Sequence, residues 1–484
     1  MPSQEADPIF HHNASVMRND PSGVLERIQR GVVLVKSALP LVLGWAAIPA
    51  GGIAQEAALP ESRPNTSKAE SLGDSLLISE AVGKERGEIA APVAVPVAEP
   101  VAAPVAAPVA LVEGGRARRR GRWKFESRLA VKGTYDDNIF IRRDKKIADY
   151  ILKLSPGLAF GFWDSVEARE RDLGRLRALT AAVERSRGNF LIFDYSAILM
   201  GFAKTTSQNT LDHDARFDTQ WKDGKLTLGA SVQFESKAES NRDVGGRLRR
   251  KTLSAAITSS YQLDPKTTLA LAIYSTTNQP EGFARTTEWR GEGSLDYAFT
   301  PRARFGFGFA AGTLRIAGGS DQVFERGFVR AGYSLSDKLD VDFRGGVEFR
   351  QSDGMSGDRT NPIFNLRATW TPSAGTRVGV SAYRRVETSV EQPEQFIAAS
   401  GVAVTFLQAM RGGVYLSLEG GYEMADYIGE ARMDKYFFVR PGVFWHFADW
   451  GTAGVTYEHR YNHSNQRESS FGNNQVSIEF GVKF

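Results

Sequence analysis

Three groups of side chains in this 484-residue chain could do chemistry. The first is the run Tyr135, Asp136, Asp137, Asn138, whose oxygens could hold a hard cation. The same residue types serve turns equally well, and a turn at the end of a strand is the expectation. The second group is the histidines: His11 and His12 near the start, then His213, His446, His459 and His463. A lipid hydrolase would need a Ser–His pair with an orienting partner. His459 shares a strand face with Tyr457, but no nucleophile motif accompanies it, so an enzyme is not expected. The third group is a set of charges at alternate positions of otherwise apolar segments. It comprises Asp214, Arg216 and Asp218; Asp342, Arg344, Glu348 and Arg350; and Arg290, Glu292, Arg330, Arg367, Glu419, Arg440, Glu458 and Arg460. Facing an aqueous lumen, they could select ions or sugars. Equally, they could pair across strands and hold a wall together. The sequence leaves both readings open.

Such charges need elements that put them on one face. In "KLTLGASVQFE", Leu226, Leu228, Ala230, Val232 and Phe234 alternate with Thr227, Gly229, Ser231, Gln233 and Glu235. "LDVDFRGGVEFR", "ARFGFGFA", "NLRATW", "VYLSLEG" and the closing "NNQVSIEFGVKF" repeat the pattern, which is the period of a strand with one apolar and one polar face. The segments span roughly 10 to 14 residues, whereas a tilted lipid-spanning strand needs about 9 to 11 and soluble strands cluster near 5 to 6. About eighteen can be counted. Tight connections ("KDGK", "LDPKT", "FTPRAR", "LSDKL", "TPSAGT") alternate with longer polar ones ("KAESNRDVGG", "TTNQPEGFAR", "RQSDGMSGDRT", "ETSVEQPEQ", "MADYIGEAR", "NHSNQRESSFGN"). Short turns on one side and long loops on the other are the outer-membrane pattern, the short ones being periplasmic. The expected fold is all-β: a single up-and-down antiparallel transmembrane β-barrel of about 18 strands over residues 123–484. Its apolar face meets lipid, and its last strand must pair with the first, near "KFESRLAVKGTY". Trp221, Tyr297, Trp370, Trp445, Trp450 and Tyr457 suit interfacial girdles.

Composition agrees. The 60 Lys+Arg nearly balance the 56 Asp+Glu, which argues against a nucleic-acid binder, and the absence of cysteine excludes disulfides and thiolate metal sites. The barrel is preceded by two other zones. Residues 1–54 read as a signal peptide with a long polar leader, with Gly52 and Ala54 before the cleavage point. Residues 55–122 read as a disordered Ala/Pro/Val-rich periplasmic linker centred on "AAPVAVPVAEPVAAPVAAPVA". It ends in the basic run "RARRRGRWK", read as a solvated flank beside the membrane. Residues 163–189, dense in charge and helix formers, read as a helical periplasmic insertion between the second and third strands.

"GTYDDNIF", "LSPGLAFGF", "FLIFDYSA", "YFFVRPGVFWHFADW", "VTYEHRYNHSNQ" and "FGNNQ" resemble the putative beta-barrel porin type 2 family of Gram-negative outer-membrane proteins. Tyr135 to Asn138 are the distinctive part. The resemblance covers residues 125 to 484 and implies an outer-membrane barrel; some relatives are associated with export of surface polysaccharides. The terminal aromatic, Phe484, resembles the signal read by the outer-membrane assembly machinery, which would be a transient partner. Outer-membrane lipid is the standing partner, and the linker could reach a periplasmic one. No nucleic acid, cofactor or metal is expected. The function expected is a channel for small solutes or a component of surface polysaccharide export. The alternative is a plugged structural barrel anchoring its periplasmic spacer, and an outer-membrane lipid hydrolase is the least supported reading.

Overall fold

A computed structural model describes residues 123–162, 189–336, 338–352, 358–373 and 375–484. The signal peptide, the linker and nearly all of the expected insertion lie outside the described residues. The first six strands are β1 (Lys124–Asp136), β2 (Asp149–Phe162), β3 (Phe190–Phe202), β4 (Thr210–Asp223), β5 (Leu226–Asn241) and β6 (Gly246–Gln262). The next six are β7 (Thr267–Pro280), β8 (Thr286–Thr300), β9 (Ala303–Ile316), β10 (Gln322–Ser336), β11 (Leu339–Ser352) and β12 (Arg359–Ser373). The last six are β13 (Thr376–Thr388), β14 (Phe396–Ala409), β15 (Val414–Ile428), β16 (Arg432–Ala448), β17 (Gly451–Ser464) and β18 (Phe471–Lys483). Each pairs antiparallel with its sequence neighbours, and β1 also pairs with β18, so the 18-stranded sheet closes on itself.

The apolar parity faces outward. On β9, Phe305, Phe307 and Phe309 are 44%, 60% and 53% exposed, while Ala310 and Leu314 on the other parity are buried. The same side carries Val476, Ile478 and Phe480 of β18 and the aromatics expected in the girdles. Polar residues face the lumen and are largely buried there, among them Asp218, Glu292, Glu348 and Glu419.

The strands run further than alternation reveals. Most of "KAESNRDVGG" is paired strand, leaving a tip of residues 242–245, and "MADYIGEAR" shrinks to a tip of 429–431. Beyond the membrane the outward face is no longer uniformly apolar, so the two-residue period weakens although the backbone ladder continues. Turns between β4–β5, β8–β9 and β16–β17 are two residues long and share a rim with the start of β1 and the end of β18. By the short-turn rule that rim is periplasmic and the other is outer.

The seam that closes the ring is reinforced at its outer end, where two of the quoted motifs meet. Asp136 Oδ1 accepts from the Asn138 amide at 2.8 Å and from Asn473 Nδ2 at 2.6 Å; its Oδ2 accepts from Gln475 Nε2 at 2.8 Å. Asp137 takes the Asn474 amide at 2.7 Å and its Nδ2 at 2.6 Å. These acids therefore accept hydrogen bonds from the turn that follows β1 and from β18 across the seam. At the other end the Phe484 and Ser127 backbones exchange hydrogen bonds at 2.8 and 3.1 Å.

Asn473→Ala removes a fully buried donor from Asp136 and should lower seam stability by about 2–3 kcal/mol, the cost of stranding a buried charged acceptor. Asn473→Asp should cost more, because it sets a third carboxylate against Asp136 and Asp137. Urea midpoints of the heat-modifiable barrel check both.

Candidate functional site

The lumen wall is built by a division of labour on β9 and β10. Gly306, Gly308 and Gly312 face the lumen from β9, opposite Arg330, Phe328 and Phe324 in the register. A Cβ on Gly308 would lie 2.4 Å from the Phe328 ring, and one on Gly312 2.5 Å from that of Phe324. The glycine column lets β10 side chains lie flat across β9. Arg330 thereby reaches Asp296 on β8 at 2.8 Å. Arg344, on β11, stacks 3.6 Å over the Phe328 ring and continues to Glu292 on β8, again at 2.8 Å.

Most of the other lumen candidates are paired as well. Glu348 receives Arg326 at 2.5 Å and Arg350 at 2.8 Å. Arg440 bridges Glu419 at 3.2 Å and Glu458 at 2.8 Å, and Asp342 meets Arg304 at 2.7 Å. Asp214 sits 3.5 Å from Lys237, Arg216 4.0 Å from Asp218, and Arg290 3.4 Å from Glu288. Arg460 donates to Asn473 at 2.7 Å, and Arg367 stands on β12 opposite Ser381. Sequence reasoning missed Arg128 on β1, which reaches over β2 to Asp194 on β3 at 2.6 Å. His459 Nδ1 lies 2.8 Å from the Asn474 amide oxygen, to which Tyr457 also donates. Its partner is thus an amide rather than a hydroxyl nucleophile.

The larger omission is at the outer mouth. The β5–β6 tip is turned by Asn241, whose Oδ1 accepts from the Asp243 and Val244 amides at 2.9 and 3.1 Å, and by Gly245 at φ 58°. From there Arg242 pairs with Glu423 of β15 at 2.9 Å and lies 3.9 Å over the Tyr436 ring of β16. Tyr427 of β15 donates to Asp243 at 3.0 Å. β5 and β15 stand eight strands apart one way round the ring and ten the other. Strands about 4.8 Å apart give such a ring a diameter of roughly 28 Å before tilt widens it, so only a loop crossing the lumen can make this contact.

Two further loops meet the tip. From the β13–β14 loop, Val390 packs on Leu248 of β6 with Val244 and Phe283, while Pro393 and Glu394 are held from β10 and the loop before it. From the β1–β2 loop, Ile139 enters a cluster with Ile151, Met200 and Phe202, and Ile141 enters one with Tyr436, Phe438 and Phe471. Ile141 has φ 48°, a costly conformation for a β-branched residue, and burial to 2% exposure holds it there. Asn138, fully buried, ties this loop through the Arg142 backbone at both carbonyl and amide. The three loops form a lid.

Glu423 is the lid's anchor: besides Arg242 it accepts from Tyr383 and, at 3.3 Å, from Arg385. Around the crossing, Asp243, Glu387, Glu391 and Glu430 each keep one buried carboxylate oxygen without a hydrogen-bond partner. Burial pushes Asp243 well above the usual carboxylate range against the pull of Arg432. Burial also lifts Glu391 to about 7, with Glu430 adding to the rise and Arg432 opposing it.

Arg242→Ala deprives a buried carboxylate of one donor and cuts the crossing. Hydrogen exchange at amides 242–248 should accelerate roughly tenfold to a hundredfold, as about 1.5–3 kcal/mol of local stability is lost. Strand amides on the periplasmic half should not change.

Residues 326–484 match the profile of a family described as Putative beta-barrel porin 2, a span that opens within β10 and includes the last three of the quoted motifs. No curated protein sequence matches the chain. Among solved structures it is similar to Pseudomonas aeruginosa OccK11 (OpdR), at 11% identity and a TM-score of 0.38, covering 74% of this chain and 96% of that one. It is also similar to Pseudomonas aeruginosa OpdK with vanillate, at 9% identity and 0.40, over 74% and 99%. A third is Acinetobacter baumannii OccAB4, at 11% and 0.40, over 75% and 98%. Similarities this distant bear no further weight. The chain thus closes as an 18-stranded antiparallel barrel, and its second half, from residue 326, is similar to the family described as Putative beta-barrel porin 2.

Proposed function

We propose that the protein is a non-enzymatic diffusion channel for small solutes, gated at its outer mouth by the three-loop lid. The observation that carries this reading is the crossing of Arg242 and Asp243 to Glu423 and Tyr427 on the opposite wall. A crossing at this place narrows the mouth, and a channel gains from it a restriction that selects by size. A polymer would require the whole lid to be displaced, which favours small solutes over polysaccharide. The paired lumen charges hold the wall in shape and offer passing solutes a surface of both signs.

A second reading is favoured by the same contacts: the lid stays shut, and the barrel is structural. Single-channel recording in planar bilayers separates them. A steady conductance supports the channel, and silence from a folded, heat-modifiable barrel sinks it. The chain has no native cysteine, so Leu248→Cys with Val390→Cys gives a clean pair. Joining them with a short bifunctional thiol reagent should lower the conductance, and a cleavable reagent should allow recovery on reduction.

The charge state of the lid adds a pH dependence. Asp243 and Glu391 have raised values in the closed lid, so closure is favoured below their ordinary range and lost as pH climbs, the Glu391 contribution through about 7. The open fraction should therefore be larger at about pH 8.5 than at about pH 5, and the Asp243→Asn, Glu391→Gln variant should lose most of that difference. An open fraction that falls with rising pH would contradict the assignment.

A further inference from the structure

The outer rim is electrically divided. In the β1–β2 loop Arg142, Arg143, Lys145 and Lys146 are all exposed, with Asp144 as the acid among them. In the loops from β7–β8 to β15–β16, the described residues carry Glu281, Asp321, Asp358, Glu391, Glu394 and Glu430 against one cation, Arg285, with Arg315, Arg359 and Arg432 at the adjoining strand ends. Two of the lid's acids, Glu391 and Glu430, belong to that second arc, and Asp243 stands on the neighbouring β5–β6 tip. The basic arc lies over the seam and takes no part in the lid's ion pairs.

The basic arc continues down the outside of the wall. Lys435 of β16 stands opposite His463 of β17, and both are exposed on the parity that faces lipid. Two residues deeper, Phe437 stands opposite Tyr461, at 43% and 47% exposed. The loop and the wall are joined through β18. Asn138 donates to the Gly472 carbonyl at 3.0 Å, and a Cβ on Gly472 would lie 3.7 Å from Lys146 Nζ. Arg143, Lys145, Lys146 and Lys435 form no ion pair with any described residue.

Cations placed above exposed rings on a lipid-facing surface sit at headgroup depth, where unpaired positive charge is satisfied by anionic lipid. A soluble polyanion would use the loop alone and would leave Lys435 and His463 without a reason to face outward. We propose that this arc binds a phosphorylated glycolipid of the outer leaflet. Its phosphates meet Lys435, His463 and the β1–β2 loop cations, and its acyl chains lie against Phe437 and Tyr461.

The test is native mass spectrometry of the detergent-purified barrel with bisphosphorylated lipid A, and with the same lipid after removal of both phosphates. The phosphorylated form should be retained on the order of tenfold more than the other, given the contribution of each basic residue to anionic-lipid binding. Lys435→Gln with Arg143→Gln and Lys145→Gln should abolish the preference, whereas Glu281→Gln on the acidic arc should leave it intact. Millimolar inorganic phosphate should not compete. Equal retention of the two lipids, equal retention by variant and parent, or displacement by free phosphate would each overturn the proposal. All three changes lie at exposed positions, and Lys435→Gln alone, confirmed as folded by its heat-modifiable migration, carries the test if the triple variant does not assemble.

Discussion

Hydrocarbon offers no hydrogen-bond partner to a peptide group, and the architecture follows from that single deprivation. A strand with one unpaired edge would leave a column of N–H and C=O groups in lipid, each costing several kcal/mol. Pairing β1 with β18 from Arg128–Lys483 to Asp136–Gln475 removes both edges at once. Closure in turn fixes which side chains share the interior and which share the outside. The side-chain network of Asp136, Asp137, Asn473, Asn474 and Gln475 sits where the first and last strands leave the membrane. There, water would otherwise compete for the last backbone bonds of the seam.

Closure also creates the problem that the interior solves. Eighteen strands enclose a space wide enough that opposing walls cannot touch through side chains alone. On the arc from β8 to β11, glycines on one strand make room for rings and guanidinium groups from the next, so charges travel over two or three strands to find partners. Pairing of this kind does little for net stability, since desolvation offsets most of the attraction. Its effect is to fix the inward geometry, because removing one partner strands the other.

The strand count, the outward parity and the seam were legible because each follows from a period of two residues, which survives in any single sequence. The lid was not legible. Tyr427 and Asp243 are separated by 184 residues, and no local pattern links "RDVG" with "GYEMADYI". Weak signals existed: Ile139 and Ile141 are apolar within "NIFIRRDKK", and Val390 is isolated in "TSVEQPEQ". An apolar residue stranded in a polar loop has to be buried somewhere, and with lipid on the outside that place is the lumen. Strand ends were misjudged because a hairpin rising past the lipid needs no uniformly apolar outward face, and its period weakens. The reach of Arg344 past two intervening strands was hidden for another reason. It depends on glycines in β9, which alone say only that space is free.

A closed sheet one residue thick is a thin shell, and thin shells yield first by ovalising. The Arg242 crossing joins two points that are nearly diametric on that shell, as a tie rod joins the walls of a vault. Lateral pressure from lipid, or crowding by neighbouring proteins, would flatten an untied cylinder along its weakest axis. With the tie in place the cross-section resists shear, and the cylinder's roundness is set by one guanidinium–carboxylate length. The segment that narrows the mouth is then also the brace that keeps the vessel circular.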